Sequence, residues 1–149
     1  MNLRALLKAE ITLDEPLELG DTPLGRRRII HITGGRFSGA RLSGRVLAGG
    51  ADWQVIRADG VADLDARYTL ETHDGALIYV RNRGYRHGPA EVLKRISLGE
   101  DVNPSLYYMR TTPSFETGDP RYAWLNRMVC VATGARRPAA VELEVFEIT

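Results

Sequence analysis

The chain has one cysteine in 149 residues, Cys130, set within Met128-Val129-Cys130-Val131. A lone thiol forms no intrachain disulfide, so no cystine framework staples this protein, and a reducing cytoplasm is the expected compartment. Long apolar runs are also missing. Nothing approaches the length of a membrane-spanning helix. Lys8 and Glu10 interrupt the N-terminal stretch before it can form the apolar core of a signal peptide. No sign of charge dominates: 20 Lys and Arg stand against 19 Asp and Glu, a formal net charge of +1. That balance supplies no global pull toward nucleic acid or an anionic membrane, and neither is an expected partner. The histidines, His31, His73 and His87, are far apart and show no ligand spacing, so no metal is expected. Gly34-Gly35 and Gly49-Gly50 lack the Gly-Lys-Ser/Thr ending and following helix of a phosphate loop, and no cofactor is expected.

The chain does have the 44% hydrophobic and 26% charged composition of an ordinary globular protein. Its length suits one domain over residues 1–149, able to bury about two-thirds of its unfolded surface. Glycine and proline are spread along the chain and punctuate short β-favouring runs. The pattern predicts strands over Leu3–Leu13, Arg28–Phe37, Ala40–Leu47, Trp53–Arg57, Leu64–Glu71, Leu77–Arg83, Leu106–Thr112, Trp124–Thr133 and Ala140–Ile148. Asp14–Gly25 reads as a long loop, Pro113 as a strand stop and Gly118-Asp119-Pro120 as a turn. Pro89–Ile96 is the one good helix, with proline at its first position and Val92 and Ile96 on one face. Short connections rule out parallel crossovers, so the fold class is an antiparallel β-barrel or sandwich of about eight or nine strands.

The stretch Leu64–Arg83 is the most informative. A two-residue Asp74-Gly75 loop, the usual choice for Asp-Gly, sets Glu71 opposite Ile78, Thr69 opposite Val80 and Arg67 opposite Asn82. One face then carries Asp65, Arg67, Thr69, Glu71, Ile78, Val80 and Asn82. The other carries Leu64, Ala66, Tyr68, Leu70, Leu77, Tyr79, Arg81 and Arg83. Neither is a clean core or a clean solvent face. A ligand cavity would explain charges on an inner face if they are paired. The opposite arrangement, with the Leu/Tyr face inside and the charged face in solvent, is equally compatible with the alternation.

Three sets of residues are candidates for a pocket. Asp59, Arg67, Glu71 and Asn82 would offer an arginine fork for an anion, with Glu71 or Asp59 as the proton-moving carboxylate. Tyr107, Tyr108, Arg110 and Thr112 form a second set, in which Tyr108, Arg110 and Thr112 share one strand face and would stack on and hydrogen-bond an aromatic or acidic ligand. Trp124 and Asn126 would sit at the mouth of an apolar strand carrying Met128 and Cys130. Cys130 itself, between valines, reads as a buried and inert thiol. Arg26-Arg27-Arg28 and Arg136-Arg137 occupy turn positions and read as solvated clusters.

At Arg67-Tyr68-Thr69-Leu70 and Asp74-Gly75-Ala76-Leu77-Ile78-Tyr79 the chain resembles a bacterial family known as domain of unknown function 3237, or uncharacterised protein family 0311. The likeness continues through Tyr107–Pro113 and Gly118–Asn126 and spans nearly the whole chain. It implies a closed antiparallel β-barrel, in outline like lipocalins or allene oxide cyclases. It implies no activity, so no catalytic residue carries over. The leading expectation is a barrel that binds a small acidic or aromatic molecule. A cofactor-independent isomerase, cyclase or lyase in the same cavity is the alternative. A homo-oligomeric interaction protein, assembled through the Leu/Tyr face, is the third.

Overall fold

The computed structural model describes residues 1–149. The strands are β1 (Leu3–Leu13), β2 (Leu17–Thr22), β3 (Gly25–Ser38), β4 (Ser43–Val46), β5 (Ala51–Ile56), β6 (Ala62–Thr72), β7 (Leu77–His87), β8 (Tyr108–Glu116), β9 (Cys130–Arg137) and β10 (Ala140–Ile148). One helix, α1 (Ala90–Ser97), follows β7. All pairings are antiparallel, in the order β1-β10-β9-β8-β7-β6-β4-β3-β2. The additional β1–β3 pairing closes an eight-stranded barrel. β4 and β5 together form one stave between β3 and β6. No helix is long and apolar enough to cross a membrane.

β3 organises the closure. Its first half pairs with β2 and β5, and its second half with β1 and β4. The hand-over falls at Gly34-Gly35. Gly35 has φ +141°, and a Cβ there would stand 2.1 Å from the Glu10 carbonyl oxygen, so only glycine lets β1 approach this closely.

The β6–β7 hairpin settles which face points in. Its loop has three residues, His73-Asp74-Gly75, rather than two. The Thr72 amide donates to Ala76 O at 2.9 Å, and Gly75 supplies the φ of +87° that closes such a loop. The register therefore slips by one: Leu70 faces Ile78, Tyr68 faces Val80 and Ala66 faces Asn82. The mixed faces expected from a two-residue loop separate. Leu64, Tyr68, Leu70, Ile78 and Val80 turn inward and are buried. Arg67 and Glu71 share the outer face with Leu77, Tyr79 and Arg83.

Four other expectations change. Asp14–Gly25 contains β2, an edge strand paired to β3 through a bulge at Leu19. The strand expected over Ala40–Leu47 shrinks to β4. Pro113 does not stop β8. It lies beyond the last β8–β9 pair, where β8 has only β7 beside it and a missing N–H is tolerated. Trp124 is not in a strand: Pro120–Arg127 is a run of 3₁₀ turns, with the Asp119 carboxylate accepting the Arg121 amide at 2.9 Å and proline opening the helix. β9 begins only at Cys130.

Two apolar clusters fill the barrel. The larger contains Ile11, Phe37, Leu70, Ile78, Leu125 and Val145. The smaller joins Val92 of α1 to Ala62, Leu64, Val102, Tyr107 and Met109, and covers the opposite end.

Candidate functional site

Polar residues gather inside the barrel near α1. Ile30, Asp52, Ala66 and Asn82 pair in a row across four strands. With Tyr68, Thr111 and the guanidinium-bearing Arg86 and Arg136, they line a cavity of about 50 Å³. That is room for one or two waters, or for the tip of a ligand, at roughly 30 Å³ per water. Arg86 and Arg136 also line a wider mouth of about 390 Å³, beside Arg28 and under Leu93 and Ile96 of α1.

Asp52 is held in place by a gap in the sheet. β5 and β6 pair at Ala51–Asp52 and again at Val55–Ile56, with no pairs between. The Asp65 amide donates instead to Asp52 Oδ1, at 2.9 Å. Asp52 Oδ2 accepts from Gln54 Nε2 at 3.0 Å, and Gln54 Oε1 accepts from Arg28 Nη1 at 3.2 Å. Burial raises the Asp52 pKa from its ordinary value. The two hydrogen bonds and the charge of Arg86 oppose that shift without reversing it.

The arginines have too few partners. Arg28 Nε lies 3.2 Å from Glu18 Oε1, an ion pair without hydrogen-bond alignment. Arg136 Nη1 donates to the Ala140 carbonyl at 3.2 Å. Arg86 is 7% exposed. Among the hydrogen bonds and ion pairs formed by its neighbours, the Arg86 side chain takes part in none. Burial first, and then repulsion from Arg136 and Arg28, offset only in part by attraction to Asp52, pushes its pKa down to about 10, so it stays charged at neutral pH. Burial lowers the pKa of Arg28 and Arg136 as well. Asn82 Oδ1 and Thr111 Oγ1 are buried without a partner. Burial also raises the pKa of the Tyr68 hydroxyl, which lines the same cavity. Such a site favours an anion with further hydrogen-bonding atoms: guanidinium forks for a carboxylate or enolate oxygen, and an amide and hydroxyls deeper in. No three His, Cys, Asp or Glu side chains converge on a metal position.

Of the residues picked from the sequence, only Asn82 faces this cavity. Arg67 is exposed and bonds Asp65 at 3.2 Å. Glu71 pairs with Arg45 on the outer wall at 2.8 Å. Asp59 sits in an exposed turn, paired with Arg57. Tyr108 and Arg110 face outward, because Met109 and Thr111 take the inner positions of β8. Tyr108 stacks on His87 at 4.6 Å. Trp124 packs under Arg41, whose guanidinium lies 3.7 Å from the ring centroid. Asn126 clamps the Thr117 backbone, accepting its amide at 2.8 Å and donating to its carbonyl at 2.9 Å. The burial expected for Cys130 is seen, and it pushes the thiol up to about 11.

Asp52, Gln54, Tyr68, Thr111, Arg28, Arg86 and Arg136 are among the polar cavity and mouth residues not picked as candidates. The two basic clusters are not wholly solvated, since Arg28 and Arg136 turn into the mouth. Continuing the inner alternation of Val80 and Asn82 past Arg83 leads directly to Arg86. For Asp52 and Gln54 the pattern misleads: β5 turns its polar side chains in and leaves Trp53 exposed.

The family described as protein of unknown function (DUF3237) matches residues 1–148. A UPF0311 protein of Clostridium acetobutylicum is 41% identical over 150 residues, covering all of this chain and 95% of that one. A solved structure from Acinetobacter baumannii, described as a β-barrel-like protein, is 47% identical with a TM-score of 0.87, and covers 99% of this chain and 96% of its own. A more distant structure, described as an enzyme from Penicillium herquei, shares the fold at 24% identity and a TM-score of 0.75, over 99% of this chain and 94% of its own. With its barrel closed and its whole length matched, the chain belongs to the DUF3237 (UPF0311) family.

Proposed function

We propose that this protein binds a compact anion, acidic or aromatic in character, at the mouth of the barrel. The charged group of the ligand lies among Arg28, Arg86 and Arg136. Its far end reaches toward Asn82, Tyr68 and Thr111. Arg86 is the observation that carries this reading. A buried guanidinium with no hydrogen bond or closed ion pair, two arginines beside it and only Asp52 as a nearby opposite charge, is costly, and an anion between it and Arg136 offsets that cost. The mouth, at about 390 Å³, suits a ligand the size of a substituted aryl acid.

The test is thermal unfolding with benzoate, phenylpyruvate and 4-hydroxyphenylpyruvate. A ligand present at a hundred times its Kd adds about 2.7 kcal/mol. For a chain of this size that raises Tm by about 5–10 °C. The Arg86→Met variant keeps the fold and loses most of the shift. Equal shifts in the two proteins, or none in the wild type, count against this pocket.

A further inference from the structure

We propose that the barrel moves a proton on the anion it holds, with the Asp52 carboxyl group as the acid–base and Arg86 as the charge that steadies the enolate. This rests on the binding reading above and extends it to chemistry. The substrate class is a compact acid carrying a C–H bond beside a carbonyl group.

Four observations converge. Asp52 and Arg86 line the same small cavity, on β5 and β7, yet are not closed on one another as an ion pair. Each carboxylate oxygen of Asp52 accepts one hydrogen bond, from the Asp65 amide and from Gln54, which leaves each a further lone pair. Those two bonds, with Arg28 behind Gln54, fix the orientation of the carboxylate. The walls around it carry orphaned acceptors, Asn82 Oδ1 and Thr111 Oγ1, able to hold a polar substrate atom. Burial raises the Asp52 pKa in the direction that a proton carrier at neutral pH requires.

The step balances without any other reagent. Ionised Asp52 takes the proton from the carbon beside the carbonyl. The C–H electron pair moves into a carbon–carbon double bond, and the carbonyl pair moves onto oxygen. The resulting enolate lies against the Arg86 guanidinium. Asp52, now a neutral acid, returns its proton to carbon or to the enolate oxygen, and the carboxylate is regenerated. The net change is exchange or tautomerisation. Gln54 is a positioning residue in this scheme.

The experiment is exchange of the methylene protons of phenylpyruvate and 4-hydroxyphenylpyruvate in deuterium oxide, followed by NMR, with thermal shifts recorded in parallel. Wild-type protein accelerates exchange over buffer by about 100-fold or more, and Asp52→Asn loses that acceleration while keeping the thermal shift. The pH profile of the wild type gives a readout independent of any variant. The rate climbs as Asp52 ionises and then levels. The charged and titratable groups facing Asp52 are Arg28, Arg86 and Arg136, with Asp65 behind it and Tyr68 across the cavity. A thermal shift without exchange overturns the proton-transfer proposal and leaves the binding reading standing. Exchange at the wild-type rate in folded Asp52→Asn, or a pH-independent rate, overturns it too. No thermal shift with any of these acids overturns both.

Discussion

Two demands meet at Asp52. Its carboxylate completes the β5–β6 ladder by accepting the Asp65 amide, and burial raises its pKa all the same. The raised value fixes the sign of a pH effect. Where a carboxyl pKa is higher in the folded state, the folded state holds the proton more tightly, so ionisation weakens folding. Its favourable contribution is present below the unfolded value near 4 and is lost as pH rises through the folded one. Asparagine still accepts the Asp65 amide but does not ionise. The Tm difference between Asp52→Asn and wild type should therefore move in favour of the variant from about pH 4 to pH 7, and calorimetry across that range would show it. A constant difference would mean that the carboxylate is not desolvated. Little of this residue was legible in the sequence. Ala51-Asp52-Trp53-Gln54 alternates polar and apolar, and the ordinary rule assigns the tryptophan to the core. Pairing with the inward-facing Ile30 and Arg28 of β3, visible only in three dimensions, sets Asp52 and Gln54 inward.

Among the elements, the β6–β7 hairpin gives the clearest lesson. Its two strands, the turn between them and the two alternating faces were all legible. The register was not, because Asp-Gly suits a two-residue loop and also the last two positions of a three-residue one. Side-chain contacts tie the longer loop down: Asp74 accepts from Thr72 beside it at 2.6 Å and from the distant Tyr122 hydroxyl at 2.8 Å. That one-residue difference put the apolar Ile78 and Val80 on the face of Tyr68 and Leu70, which became the buried side, and left Arg67 and Glu71 outside. Helix α1 and strands β1 and β10 needed no such distant information, and their bounds match the local pattern closely. A second element-level test lies at the β1–β3 crossing. Gly35→Ala sets a Cβ against the Glu10 carbonyl at an unfavourable φ. It should cost about 3 kcal/mol, read as a lower midpoint in urea unfolding. A loss below about 1 kcal/mol would show that the two strands can part without penalty.

For the molecule as a whole, a formal charge of +1 hides an uneven distribution. Most arginines on the outer wall are paired, as at Arg4–Glu147, Arg45–Glu71 and Arg121–Asp119. Inside the mouth, Arg86 and Arg136 form no ion pair, and both are desolvated where the unpaired surface arginines are not. Composition reports a sum, so it could not reveal this; closure of the barrel brings together Arg28, Arg86 and Arg136 from β3, β7 and β9. One consequence concerns the empty protein. Arg86→Met should leave it as stable as wild type or more so, by up to about 2 kcal/mol in denaturant unfolding, since a thioether needs no counter-ion. Marked destabilisation would instead assign Arg86 a structural partner. In a lineage selected only for resistance to unfolding, drift would then favour an apolar side chain at this position. An arginine that weakens its own scaffold persists only where selection rewards something other than stability.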